Sequence, residues 1–107
     1  MGKERAEIEE IKQFIRKIKD KYNIEKAILF GSFARGEERE DSDVDLIIVS
    51  DYFKGKSALK RPSSLYLEWD LDYPVDFICY TREEFERLKN RASLVREALK
   101  EGVVVEG

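Results

Sequence analysis

Apolar residues recur at Ile8, Ile11, Ile15, Ile18 and Tyr22, with Phe14 beside them, and the positions between are mostly Lys, Glu and Arg. Spacings of three and four predict an amphipathic helix over residues 4–22 that lays one face on a core. Asn23 is its stop. The pattern then shortens. Lys26–Phe30 (KAILF) is an apolar run closed by Gly31-Ser32, and Val44–Ser50 (VDLIIVS) is a second. Their length and the glycine boundary predict buried strands. In the second run Asp43, Asp45 and Ile47 fall on one face, and Val44, Leu46 and Ile48 on the other. The polar stretch between them, SFARGEERED, predicts a helical turn followed by a loop.

Asp51–Ser63 reads as a loop that is either mobile or placed over a ligand, with Gly55, Pro62 and several Lys and Arg residues. Residues 64–72 have an ambiguous pattern, with a helix as one reading, and Pro74 ends it. Val75–Tyr80 (VDFICY) is a third strand with Asp76, Ile78 and Tyr80 on one face. Thr81 and Glu84 form a capping box for a helix over 82–90. A last helix runs from Ser93 to Glu101, with Gly102 as its stop, and 103–106 (VVVE) adds an edge strand. The order predicts an α/β (α+β) fold, a small mixed sheet with helices packed on it, and a single domain over 1–107.

Composition narrows the function. Of 107 residues, 42% are hydrophobic, which is globular rather than disordered. Charged residues reach 40% with few Asn and Gln, which suggests a thermophilic source; a charged surface alone is the other explanation. A net charge of −3 argues against a dedicated nucleic-acid binder, leaving a local basic patch open. The single Cys79 rules out an internal disulfide and a multi-cysteine zinc site, and its apolar setting favours a buried thiol. No run is long and apolar enough to span a membrane, and the charged start MGKERAEIEE lacks a signal-peptide core. The expected location is the cytoplasm.

The chemistry concentrates in Gly31-Ser32 and, after ten intervening residues, Asp43-Val44-Asp45. Glycine lets backbone approach an anion closely. A helix start behind it offers free N–H groups, and the serine adds a hydroxyl. An ordinary turn is the bland reading. Asp-x-Asp on a strand sets two carboxylates about 6–7 Å apart on one face, where they can converge on magnesium, a cation that wants oxygen ligands. The alternative is that Asp43 caps the loop and Asp45 is solvated. Asp76 shifts the balance, because a charge early in an apolar strand is costly unless partnered. If its strand neighbours Val44–Ser50, three carboxylates can serve two metal ions about 4 Å apart, with Asp76 also placed to accept a hydroxyl proton. A solvent-facing strand end is the other reading for Asp76. Arg35 either contacts phosphate oxygens or pairs with the acidic run 37–41. Lys54, Lys56, Lys60 and Arg61 are either a basic rim near a triphosphate or solvated surface.

GSFARGEEREDSDVDLIIVS resembles the signature of the DNA polymerase β-like nucleotidyltransferase superfamily, with Gly31, Ser32, Asp43 and Asp45 matching and Asp76 fitting the third carboxylate. The phrase looks especially like the minimal nucleotidyltransferases of prokaryotes. The resemblance covers residues 25–80 in motifs and the whole chain in length and element order. It implies that Gly31 and Ser32 hold the triphosphate of ATP or another NTP, with Arg35 beside them. Asp43 and Asp45 would bind magnesium, and Asp76 would complete the site. It also implies kinship with antitoxins that pair with a helical HEPN toxin, some of which adenylylate a tyrosine of the toxin. No acceptor-binding domain is visible, so a partner protein presenting a hydroxyl is the expected acceptor. Two further readings stay open: an antitoxin that neutralises its partner by contact alone, and a transferase acting on a small molecule. For the last, a homo-oligomer could supply the missing surface.

Overall fold

The computed structural model describes residues 2–31 and 44–107, with only the backbone of 2–7. Helix α1 (Gly2–Tyr22) leads into strand β1 (Lys26–Phe30), and strand β2 (Val44–Val49) follows. A 3₁₀ turn (Asp51–Phe53) and the short helix α2 (Ser63–Glu68) lead to strand β3 (Val75–Tyr80). Helices α3 (Arg82–Leu88) and α4 (Leu94–Glu101) and strand β4 (Val103–Glu106) complete the order. The sheet is mixed, in the order β3-β2-β1-β4. β1 is antiparallel to both neighbours, and β2 runs parallel to β3. A parallel pair needs a long crossover, and the 3₁₀ turn and α2 supply it.

The sheet is covered on both faces. On one, Ile11, Ile15 and Ile18 of α1 pack with Leu29, Leu46, Ile48, Phe53 and Leu65. On the other, Ile28, Ile47 and Val49 meet Phe85 of α3 and Val95 and Ala98 of α4. Each fully buried side chain of this size contributes roughly 1.5–3 kcal/mol. The strict alternation of β2 sorts Val44, Leu46 and Ile48 to the first core and Ile47 and Val49 to the second, as the pattern predicts.

The helix ends follow local chemistry. Thr81 accepts from the Glu84 N–H while the Glu84 side chain accepts from the Thr81 N–H, the predicted capping box. Ser93 caps α4 by accepting from the Arg96 N–H. Two expectations need correction. α2 stops at Glu68 rather than running to 72, because Trp69 is extended (φ −69°, ψ 116°) and its indole N–H donates to the Tyr73 carbonyl. The segment from Asp51 is also not open loop at its start. Ser50 is fully buried; its hydroxyl donates to the Tyr22 carbonyl and accepts from the Tyr52 N–H. That contact turns the chain so that Phe53 drops into the core at zero exposure.

Candidate active site

Two of the three sequence-picked carboxylates meet at one end of the sheet. β2 and β3 start level, because the Val44 N–H donates to the Pro74 carbonyl at 2.8 Å. The parallel register that follows makes Asp45 and Asp76 direct partners. Neighbouring strands lie about 4.8 Å apart, so both carboxylates rise from one face within reach of a single small cation. Asp45 is half-buried and Asp76 is exposed. The exposed position of Asp76 means that its strand-end setting, not deep burial, defines it.

β1 brings the third part. Phe30 pairs with Asp45 across the antiparallel ladder, so Gly31 comes directly over that carboxylate. Gly31 has φ +85°, a conformation that glycine adopts without steric cost. A Cβ built on it would lie 2.6 Å from Asp45 Oδ2. Both the backbone angle and the lack of a side chain are therefore required there. The result is bare backbone beside a carboxylate pair. Such a surface can accept a hard cation on its oxygens and an anion against its backbone.

Ser32, Arg35 and Asp43 lie outside the described residues, as does the segment 33–41 read as a helical turn and loop. Among the described residues no group of three Asp, Glu, His or Cys side chains forms a metal cluster. The described pair Asp45–Asp76 and the Gly31 backbone fit part of a metal–triphosphate site by the chemistry of their oxygens and their register.

Lys54, Lys56, Lys60 and Arg61 do not rim this end. They follow the far end of β2, and Ser50 stands about 17 Å along the strand from Asp45. Arg61 instead reaches β3, where its guanidinium donates to the Cys79 carbonyl at 3.2 Å and to both Glu84 oxygens at 2.6 and 3.0 Å. Held this way, the Glu84 carboxyl falls to about 2, the Arg61 hydrogen bond being the main cause. Burial pushes the Cys79 thiol up to about 12. These residues, with Ile78, Tyr80 and Leu88, line a cleft of about 460 Å³ beside the outer strand β3. No local spacing announces it, since Arg61 and Glu84 are 23 positions apart.

A nucleotidyltransferase domain model matches residues 11–105. Among curated relatives, a candidate protein adenylyltransferase of Methanocaldococcus jannaschii is 46% identical over 76 residues, covering 66% of this chain and 76% of its own length. Another from the same organism is 49% identical over 53 residues, 48% of this chain and 49% of its own length. The chain thus spans about half of the second relative. Among solved structures, a candidate nucleotidyltransferase from Sulfolobus solfataricus superposes with a TM-score of 0.64 at 22% identity, covering 97% of this chain and 87% of that one. A toxin–antitoxin solved with AMP-PNP gives 0.51 at 19% identity, covering 90% and 73%. At these identities the two structures establish a shared fold.

Proposed function

The chain belongs to the nucleotidyltransferase domain family, and on that premise we propose that it transfers AMP from ATP to a hydroxyl acceptor carried by a partner protein. The register that sets Asp45 beside Asp76, with Gly31 against Asp45, is the observation that carries this reading. The names of the Methanocaldococcus relatives support a protein as the acceptor. A helical partner of the HEPN type is the proposed one, in line with the toxin–antitoxin neighbours.

In this proposal Asp43, Asp45 and Asp76 hold magnesium, two ions in all, with Gly31, Ser32 and Arg35 on the triphosphate. Magnesium, when bound, neutralises phosphate charge and lowers the pKa of an attacking hydroxyl. The chain's own residues do the rest. Gly31 keeps a side chain out of the space between Asp45 and the phosphates. Asp45 would help hold the metal beside the Gly31 backbone, and Asp76, on the outer strand, accepts the acceptor's proton. The acceptor oxygen forms a bond to the α-phosphorus, the bond to pyrophosphate breaks, and the proton leaves the acceptor oxygen for the carboxylate. Such a displacement needs positioning and charge neutralisation more than covalent participation by the protein.

The test is calorimetric titration of ATP with and without magnesium into wild-type protein and Asp43→Asn. Magnesium-dependent binding that the variant loses is the expected result. Binding that is indifferent to magnesium, or unchanged in the variant, would contradict the assignment.

A further inference from the structure

We propose that the groove between the end of α1 and the segment 52–67 is a docking surface for an acidic, amphipathic helix of a partner protein. The proposal goes beyond the transfer reaction and does not depend on it. Two adjoining clefts, of about 590 and 690 Å³, share Tyr52 and Ser64 as walls. Leu67 lines one cleft, and Lys56 and Lys60 line the other.

Large apolar side chains stand open to solvent around these clefts. Leu59 is 92% exposed and Leu67 89%, and Tyr52 and Tyr66 are also open to solvent. Of these, Tyr52 and Leu67 line the clefts and Leu59 stands on the turn between Ser57 and Lys60 that walls the second, while Tyr66 turns to Phe77 of β3; exposed apolar residues beside a groove mark interaction sites. The second cleft is lined by Lys56, Lys60 and Arg61 with no carboxylate, in a chain of net −3, while Glu68 of the first is held by Lys21. Lys54 has only a loose contact with Asp51 at 3.7 Å, and Arg61 is committed to Glu84. Lys56 and Lys60 have no ion pair among the described residues. Unpaired cations beside exposed leucines match a helix with an apolar stripe flanked by Glu and Asp, the helix-in-groove mode of recognition.

Aromatic geometry argues for protein over nucleic acid. Single-stranded nucleic acid needs free aromatic faces for stacking. Lys56 Nζ already lies over the Tyr52 ring at 4.9 Å, and the Tyr22 and Phe53 rings meet Tyr52 edge-on. Tyr52 and Lys56, which wall the groove, follow the far end of β2 from Asp45.

The experiment is fluorescence anisotropy with a labelled synthetic helix about five turns long, leucine on one stripe and glutamate elsewhere. Saturable binding that weakens with salt is expected. Lys56→Glu with Lys60→Glu should weaken it at least about tenfold, and Leu67→Ser should weaken it too. All these side chains are exposed, so circular dichroism and the thermal midpoint should stay unchanged. The proposal is overturned by absence of saturable binding or by equal binding in the variants. Tighter binding of a single-stranded oligonucleotide or of anionic vesicles than of the peptide would overturn it as well.

Discussion

Asp45 and Asp76 are register partners on parallel strands, yet only Asp45 is pressed by the backbone of Gly31. Asp45 sits inside the sheet between β1 and β3, whereas Asp76 stands on the outer strand.

That asymmetry predicts different failures for the two carboxylates. Asp45→Asn should remove magnesium-dependent ATP binding and transfer together. Asp76→Asn should spare most ATP affinity and lower the transfer rate by on the order of 10²–10³-fold, the scale seen when one transition-state contact is lost. Single-turnover transfer measured alongside ATP titration checks this. Equal loss of binding in both variants would refute the division of roles.

Gly31→Ala should harm the site from two directions. The new Cβ meets Asp45 Oδ2 at 2.6 Å, and φ +85° is strained for any residue with a Cβ. A cost of roughly 1–3 kcal/mol follows, along with displacement of the Asp45 carboxylate. Denaturant unfolding measures the first effect and ATP titration the second. Adding Asp45→Ala to Gly31→Ala should relieve the contact while leaving the backbone strain, so the double variant should be more stable than additivity predicts.

Much of this arrangement was legible from residue order, because strand alternation is a local property. Asp45 and Ile47 share a face, Thr81 caps α3 with Glu84, and Gly102 ends α4, each set by neighbours within a few positions. The pairing of Asp45 with Asp76 was expected only on condition that β2 and β3 adjoin. Backbone contact between Val44 and Pro74 meets that condition, and no short-range pattern encodes it. Arg61–Glu84 and the inward turn at Ser50 were missed for the same reason, since both depend on partners more than 20 positions away.

Phe53 tests that last point. Its segment looks like loop, yet the side chain is wholly buried between α1, α2 and the sheet. Phe53→Ala should cost about 3–5 kcal/mol, the range for removing a buried aromatic ring. Urea unfolding of the variant reads it directly. A loss under about 1 kcal/mol would mean that the segment contributes little to the core.

The Arg61–Glu84 pair predicts how stability depends on pH. Glu84 titrates at its usual 4.5 in the unfolded chain and at about 2 in the folded one, with the Arg61 guanidinium as the main cause. A carboxyl with a depressed folded pKa contributes its stabilisation fully above the unfolded value and loses it as pH falls through the folded one. Arg61 stays charged throughout this range. The contribution, on the order of 3 kcal/mol, should therefore be intact at pH 7 and fade between 4.5 and 2. The side chains are only 12% and 28% exposed, so salt should screen the pair weakly. Glu84→Gln removes the titrating group and leaves Arg61 without its counter-charge, which should lower stability at pH 7 and flatten the acid slope. Unfolding free energies of both proteins from pH 7 down to 2 provide the comparison. An unflattened slope in the variant would show that acid sensitivity arises at other carboxylates.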